Sequence, residues 1–199
     1  PEYAGVDPKN GDALWYKNTK NSDGSLDHSV TNDYSQADPI IVGNALPKWI
    51  SGLQNSITYK NWELNILVNS VQGNKINTYG LGQFSSANGR YEDNQTVDQL
   101  NSWTIQNPNT DIPEARLYYT NGAQASTRFI QDGSFVRLQN VNLSYCLPSS
   151  LLNKIHLSGA TLFISGINLY TWTNYPYWDP EVETDGLVNA KATRGVDFY

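Results

Sequence analysis

Two neighbouring segments of the chain alternate apolar and polar residues with the period of a β-strand. In residues 48–60 the apolar positions are odd, and after a tight turn at Lys60-Asn61 they are even. We predict a hairpin whose second strand continues to about Tyr79. Both strands are long for a soluble protein, where about 5–6 residues are usual, and exceed the roughly 9–11 that cross a bilayer. The apolar positions are Trp49, Leu53, Ile57, Tyr59, Trp62, Leu64, Ile66 and Val68.

A second pair of strands is predicted at about 128–147 and 160–172. In the first of them, the apolar positions change phase between Leu138 and Val141, which predicts a bulge near Gln139-Asn140. The second is apolar on both sides, so its assignment rests on β-branched and aromatic content. A further short strand is predicted at 14–20.

The connectors between these strands differ greatly in length. Lys60-Asn61 is minimal, and 148–158 is short, with a helical turn predicted at 149–155. Residues 20–47, 80–127 and 173–199 are long and polar, and all three fall at the same edge of the predicted sheet. Short turns at one rim and long loops at the other are typical of outer-membrane barrels.

Composition excludes several classes of function. The 199 residues carry 13 Lys and Arg against 19 Asp and Glu, so the net charge of −6 offers no basic surface for nucleic acid. The single Cys146 excludes an internal disulfide and a multi-cysteine zinc site. No apolar run approaches the length of a transmembrane helix. The absence of methionine indicates a processed chain or a fragment.

Residues with catalytic or metal-binding potential are scattered. Acidic and amide residues cluster at 7–12 and 21–27 around glycine, but neither segment has the spacing of a calcium-binding helix–loop–helix, and turn chemistry is favoured over calcium. The carboxylates of Asp179, Glu181, Glu183 and Asp185 are interpreted as a solvated acidic loop rather than a glycosidase pair. His28 and His156 are isolated. We therefore predict no enzyme activity, no metal site and no cofactor.

The aromatic residues give two hypotheses. Six near predicted strand ends are favoured as interfacial girdles of a barrel. These are Trp49, Tyr59, Trp62, Tyr145, Tyr170 and Trp172. Four in the loops are candidates for stacking on a sugar or a peptide, with a structural role equally open. These are Trp103, Tyr175, Tyr177 and Trp178.

Ordered sequence blocks along nearly the whole chain resemble the C-terminal barrel of TonB-dependent outer-membrane transporters of the SusC/RagA type. In the second half they are 132–141 (DGSFVRLQNV), 143–145 (LSY), 147–148 (LP), 168–175 (NLYTWTNY) and 179–182 (DPEV). In the first half they are 4–8 (AGVDP), 43–47 (GNALP), Gly52 and 59–62 (YKNW).

The resemblance implies an all-β fold in which residues 1–199 are the C-terminal part of a barrel of about 22 strands. The plug domain and the family's final strand have no counterpart in the sequence. It further implies import of glycan or peptide across the outer membrane of a Gram-negative, Bacteroidota-like bacterium. The expected partners are a SusD-like lipoprotein lid, TonB acting through the missing N-terminal region, the oligosaccharide or peptide ligand, and outer-membrane lipid.

The alternative is a soluble, cell-surface β-sandwich that binds carbohydrate through the same loop aromatics. A sandwich predicts short strands with a turn about every 8–12 residues. Strands of 13 or more residues and a connector as long as 80–127 favour the barrel instead.

Overall fold

A computed structural model describes residues 1–78, 95–117, 120–181 and 197–198. The chain divides into two compact units. The first comprises Pro1–Gly43 and Ile76–Gln131, and the second comprises Asn44–Lys75 and Asp132–Tyr199.

The first unit is built from short strands and single 3-10 turns. β1 (Glu2–Val6), β2 (Ala13–Tyr16) and β5 (Val30–Thr31) form an antiparallel sheet in the order β1-β2-β5, and β3 (Thr19–Lys20) pairs with β4 (Leu26–Asp27). The predicted strand at 14–20 is therefore two short strands, because Asn18 takes a left-handed conformation with a φ of 53° between them. The 3-10 helices are Tyr34–Gln36, Val97–Asn101, Asn121–Ala123 and Thr127–Phe129.

A small aromatic core holds the first sheet together. Trp15 is 1% exposed and packs with Ala13 and Ala37, while Tyr3 and Tyr34 close its sides. The Trp15 and Tyr34 rings meet edge to face with centroids 5.2 Å apart, a favourable aromatic geometry.

The second unit is dominated by long antiparallel strands in the order β12-β11-β10-β7-β6. Two short strands, β8 and β9, pair with each other, and two of the three unit boundaries along the chain, after Lys75 and after Gln131, fall within them. The strands are β6 (Trp49–Tyr59), β7 (Trp62–Gln72), β8 (Lys75–Asn77), β9 (Ile130–Asp132), β10 (Phe135–Cys146), β11 (Thr161–Thr173) and β12 (Asp197–Phe198).

The predicted hairpin is confirmed. β6 and β7 pair in unbroken register from Tyr59 opposite Trp62 to Trp49 opposite Gln72, and Lys60 at the turn has a φ of 53°. The predicted continuation to Tyr79 is wrong over the described residues. Gly73, with a φ of 82°, ends β7 and donates its N–H to the Ser134 hydroxyl. Tyr79 itself lies outside the described residues.

The second predicted pair corresponds to β10 and β11. The predicted bulge is confirmed, because the pairing of β10 with both neighbours shifts between Leu138 and Asn140. The strand begins later than the predicted residue 128, since the turn at Gly133-Ser134 separates β9 from β10. The helical turn predicted at 149–155 is α1 (Ser149–Leu152), followed by a 3-10 turn at Asn153–Ile155.

The strand register shows where the chain enters and leaves the large sheet. Trp49 lies opposite Gln72, Val71 opposite Phe135, and Phe135 opposite Thr173. The chain therefore enters β6 and β10 and leaves β7 and β11 at the same edge. The turn at Lys60-Asn61 and the connector that carries α1 share the other edge. We call these edges the loop edge and the turn edge.

Candidate functional site

The large sheet has two chemically distinct faces. Residues directly opposite one another in neighbouring strands share a face, so the register assigns every side chain. One row across the four strands on the first face consists of Tyr59, Trp62, Tyr145 and Leu162. The next row on the same face consists of Ile57, Leu64, Leu143 and Ile164. This apolar face carries no charged side chain along β6, β7, β10 and β11. Its members also include Leu53, Ile66, Val68, Val136, Leu138 and Val141.

All six aromatic residues proposed for girdles lie on the apolar face. Near the turn edge are Tyr59, Trp62 and Tyr145, with the Trp62 and Tyr145 ring centroids 4.5 Å apart. Near the loop edge are Trp49, Tyr170 and Trp172, with the last two centroids 4.8 Å apart. From Trp62 to Ser70, the eight residue-to-residue steps of β7 span about 27 Å at the usual rise per residue. Two aromatic rows thus flank an apolar band of roughly the height that a barrel presents to lipid.

The opposite, polar face carries a network of amide and hydroxyl groups. The Ser56 hydroxyl donates to the Asn65 side-chain carbonyl, and the Asn65 amide donates to the Glu63 carboxylate at 2.9 Å. At the bulge, the Asn69 amide donates to the Gln139 side chain. Such a face can form many hydrogen bonds with water or with another protein segment, whereas the apolar face offers few polar side chains, among them Asn55 opposite Ile66.

The most strongly buried charge on the polar face is Arg137 of β10. Its side chain is 2% exposed, and its guanidinium lies over the Phe135 ring, 4.9 Å from the centroid. It donates to the Thr171 hydroxyl at 3.0 Å, to the Glu181 carboxylate at 2.7 Å, and to the Asp179 carboxylate. The sequence interpretation of Asp179 and Glu181 as a solvated loop is wrong for Asp179, whose side chain is 11% exposed because it pairs with Arg137. Glu183 and Asp185 lie outside the described residues.

Sequence reasoning missed Arg137 as a partner of these carboxylates. Asp179 and Glu181 lie 42 and 44 residues after Arg137 in the chain. One signal was available, since an arginine in the middle of a predicted strand needs an anionic partner if it is buried.

The four loop aromatics proposed for ligand stacking are not brought together as one exposed cluster. Trp103 belongs to the first unit, is 7% exposed, and donates its indole N–H to the Pro8 carbonyl at 3.1 Å. Tyr175 is 5% exposed, and burial raises the pKa of its hydroxyl to about 12. Tyr177 is half-buried against it, with ring centroids 5.6 Å apart. Trp178 is 49% exposed.

The segment 7–12 is held by hydrogen bonds between its own residues and its neighbours. The Asp12 carboxylate accepts from the Asn10 and Asn32 amides at 3.0 and 2.9 Å and pairs with Arg116. Burial opposes ionisation of Asp12, but the hydrogen bonds from Asn32 and Arg116 outweigh it and keep the pKa of the carboxyl below its usual value. In 21–27, the Asp23 carboxylate accepts from the backbone and hydroxyl of Ser25. Both are turns of the kind favoured from the sequence.

Within the described ranges, no three His, Cys, Asp or Glu side chains gather around a possible metal position. None of the helices in those ranges is long and apolar enough to cross a membrane. At the loop edge of the sheet lies an open cleft of about 450 Å³, lined in part by Gln72, Phe135, Trp172 and Asn174.

Comparison with known proteins gives consistent matches. No family model matches the chain. It is 34% identical to TonB-dependent receptor P3 of Formosa agariphila over 168 residues, which cover 83% of this chain and 16% of that protein. It is 31% identical to TonB-dependent receptor P26 of the same organism, over 74% of this chain and 15% of the relative.

Solved structures agree with these sequence matches. The RagAB peptide transporter superposes with a TM-score of 0.78 and 28% identity, over 94% of this chain and 20% of that one. The RagAB peptide importer in its closed-closed state gives a TM-score of 0.79 and 27% identity, over 100% of this chain and 21% of that one. The chain therefore spans about a sixth of the length of the curated relatives it matches.

Proposed function

Because this chain belongs to the TonB-dependent receptors, within the SusC/RagA type, we propose that residues 1–199 are the C-terminal part of an outer-membrane nutrient importer. In this proposal the large sheet supplies strands to a closed barrel of about 22 strands around a plug. The observation that carries the proposal is the two-faced sheet, whose apolar face is edged by two aromatic rows.

The proposed mechanism follows from the requirement that backbone groups in lipid be paired. Strands of 11 to 13 residues with one apolar face satisfy that requirement only within a closed sheet. The apolar face would meet lipid and the polar face would meet the plug and the water-filled lumen. Cargo held at the outer side would pass inward when TonB pulls on the plug. No step of this mechanism breaks a covalent bond, so we propose no enzyme activity.

The proposed partners are a SusD-like lipoprotein lid, TonB, and an oligopeptide or oligosaccharide cargo. The structural neighbours are described as a peptide transporter, which favours peptide over glycan as cargo for this chain. The proposed location is the outer membrane of a Gram-negative bacterium, since the curated relatives are TonB-dependent receptors of Formosa agariphila.

Among the four loop aromatics, we propose that Trp178 and Tyr177 contact cargo directly. Trp178 exposes about half of its side chain, and Tyr177 lies beside it in the chain. Trp103 and Tyr175 are buried, so their proposed contribution is to support the loops from beneath. A buried ring can stack on a ligand only after its own packing has been broken.

The β-sandwich alternative is disfavoured by strand length and by the two faces. A sandwich would bury the face that carries Leu64, Ile66, Val141 and Leu143 against a second sheet. In the large sheet, Leu143 is 36% exposed, and the β6 residues of the same face are all exposed.

The proposed function is tested by locating the full protein and measuring uptake. We expect it in the outer-membrane fraction, with faster gel migration before boiling than after. Cells should import a labelled oligopeptide mixture only while the gene is intact and TonB is present. Recovery of the full protein in the fraction released without detergent would contradict the barrel, and unchanged peptide and oligosaccharide uptake in a deletion strain would contradict import.

A further inference from the structure

The Arg137 side chain fixes the path of the chain beyond β11. In the strand register, Arg137 lies opposite Asn69 of β7 and Thr171 of β11. These positions belong to the polar face, because Val136 and Leu138 on either side of Arg137 point to the apolar face. Any segment that bonds the Arg137 guanidinium must therefore lie against the polar face.

The two carboxylates bound by Arg137 come from the segment that follows β11. Asp179 is eight residues beyond Thr171, the cross-strand neighbour of Arg137. A chain that continued straight along β11 would carry Asp179 about 26 Å away at the usual rise per residue. Its carboxylate instead reaches Arg137. Residues 174–181 therefore turn back across the polar face, and we call this segment the strap.

The strap is anchored at both ends. At its start, the Thr173 hydroxyl donates to the Ser134 carbonyl at 2.8 Å and accepts from the Tyr175 N–H at 3.1 Å. At its end, Asp179 and Glu181 pair with Arg137, and the Glu181 N–H donates to the Asp179 carboxylate at 2.8 Å. Each of the three guanidinium nitrogens of Arg137 thus has an acceptor, and two of the acceptors carry the opposite charge that a buried arginine requires.

Between these anchors, the strap exposes one large aromatic side chain. Tyr175 and Pro180 are buried, whereas Trp178 is 49% exposed. The two anchors thus fix the backbone on both sides of Trp178.

We propose that the strap folds inward and narrows the lumen at its outer end, and that Arg137 is the positioning residue that holds Trp178 in the path of entering cargo. This inference rests on the proposed function, which identifies the polar face as the face toward the lumen. The ion pairs of Arg137 support the inward fold of the strap. The strap is thus a part of the passage and not a loop that extends away from the barrel.

The experiment measures thiol accessibility in the full protein in outer membranes. Cys146 is exposed and is first changed to Ser, and Trp178→Cys is then added. A small maleimide should label residue 178 readily, and a bulky polyethylene-glycol maleimide should label it slowly. Arg137→Gln should raise the bulky labelling rate by about tenfold or more, because removing one partner of a buried ion pair releases the other.

Matched variants separate the strap from general loosening. Lys75→Gln removes an exposed ion pair with Asp132, 3.9 Å long, in the same unit and should leave labelling unchanged. Glu181→Gln leaves Arg137 paired with Asp179 and should raise the bulky labelling rate by less. This variant tests the inference on its own if Arg137→Gln does not assemble. Heat-modifiable migration checks assembly of each variant.

Two results would overturn the inference. One is rapid labelling of residue 178 by the bulky maleimide in the protein that retains Arg137. The other is the absence of any increase in Arg137→Gln or Glu181→Gln variants that assemble. Uptake of the labelled oligopeptide mixture is measured separately on the natural sequence. Failed uptake together with the expected labelling pattern would reject the import function but not the inference about the strap. Normal uptake without the expected labelling pattern would reject the inference about the strap alone.

Discussion

At the scale of single residues, exposure separates Trp178 from the other loop aromatics. Replacing Trp178 by Ala should weaken cargo binding by about 1–2 kcal/mol, or roughly fivefold to thirtyfold, as expected for an aromatic residue at the centre of a contact. Trp178→Phe should retain most of the affinity. Binding of fluorescent oligopeptides to the purified transporter checks this. Equal affinity of the Ala variant and the parent would exclude Trp178 from the cargo site.

Gly11 and Gly24 form a matched pair that separates backbone strain from steric conflict. Both have left-handed φ angles, 76° and 87°. A Cβ at Gly11 would lie 2.6 Å from the Trp103 ring, whereas nothing lies within 4 Å of a Cβ at Gly24. Gly24→Ala should cost about 1–2 kcal/mol from the left-handed conformation, and Gly11→Ala should cost about 1–3 kcal/mol more from overpacking.

Chemical unfolding of the full protein in detergent, followed by tryptophan fluorescence, measures the difference between the two glycine variants. A Cβ at residue 11 would also lie 2.8 Å from the Glu114 Cβ, so both Trp103 and Glu114 must give way in the Gly11 variant. Equal losses in the free energy of unfolding would show that these two neighbours move without cost and that their packing on the turn is loose.

At the scale of elements, Leu143 and Asn142 are adjacent in β10 but lie on opposite faces. Leu143 is paired with Leu64 and Ile164 in the apolar band, while Asn142 is paired with Asn65 and Ser165. Leu143→Arg should destabilise the assembled barrel by about 2–4 kcal/mol if it lies near the bilayer midplane, and Asn142→Arg should cost much less. Unfolding in lipid vesicles with guanidinium compares the two variants. Equal costs would contradict the assignment of the faces.

The strands could be predicted because each long strand carries its own alternation. The β6–β7 hairpin and the phase change around Gln139 follow from the spacing of apolar residues alone. β11 is harder, because Phe163 and Ile167 lie on the polar face opposite Ser144 and Asn140. Their apolar character hides the alternation of Leu162 and Ile164, and only pairing with β10 reveals it.

The candidate site was less accessible to sequence reasoning because its contacts are distant along the chain. Arg137 meets Glu181 across 44 residues, and the Trp103 indole meets the Pro8 carbonyl across 95. Neither contact leaves a periodic pattern. Composition identified which loop aromatics were candidates, but their burial depends on which segments fold over them.

At the scale of the whole molecule, the large sheet is open at β6. Within the described residues, β6 pairs on one side only, with β7, and all eleven of its residues are exposed. On its apolar face, the exposed side chains include Trp49, Leu53 and Ile57. An unpaired edge and a bare apolar face are both surfaces that associate with other chains.

A chain of these 199 residues alone should therefore aggregate in plain buffer and require detergent to remain dispersed. Leu53 and Ile57 are 68% and 53% exposed, so the apolar face has no cover within the described residues, and the edge of β6 offers unpaired backbone groups. Detergent should cover the apolar face but leave the backbone groups at the β6 edge unpaired. Small oligomers joined through β6 should therefore persist in detergent. Replacing Leu53 and Ile57 by Lys should reduce both effects, since inward or edge charges oppose strand pairing. Light scattering with and without detergent makes the measurement, and a monodisperse monomer in plain buffer would mean that the apolar face is covered by the chain itself and does not face lipid.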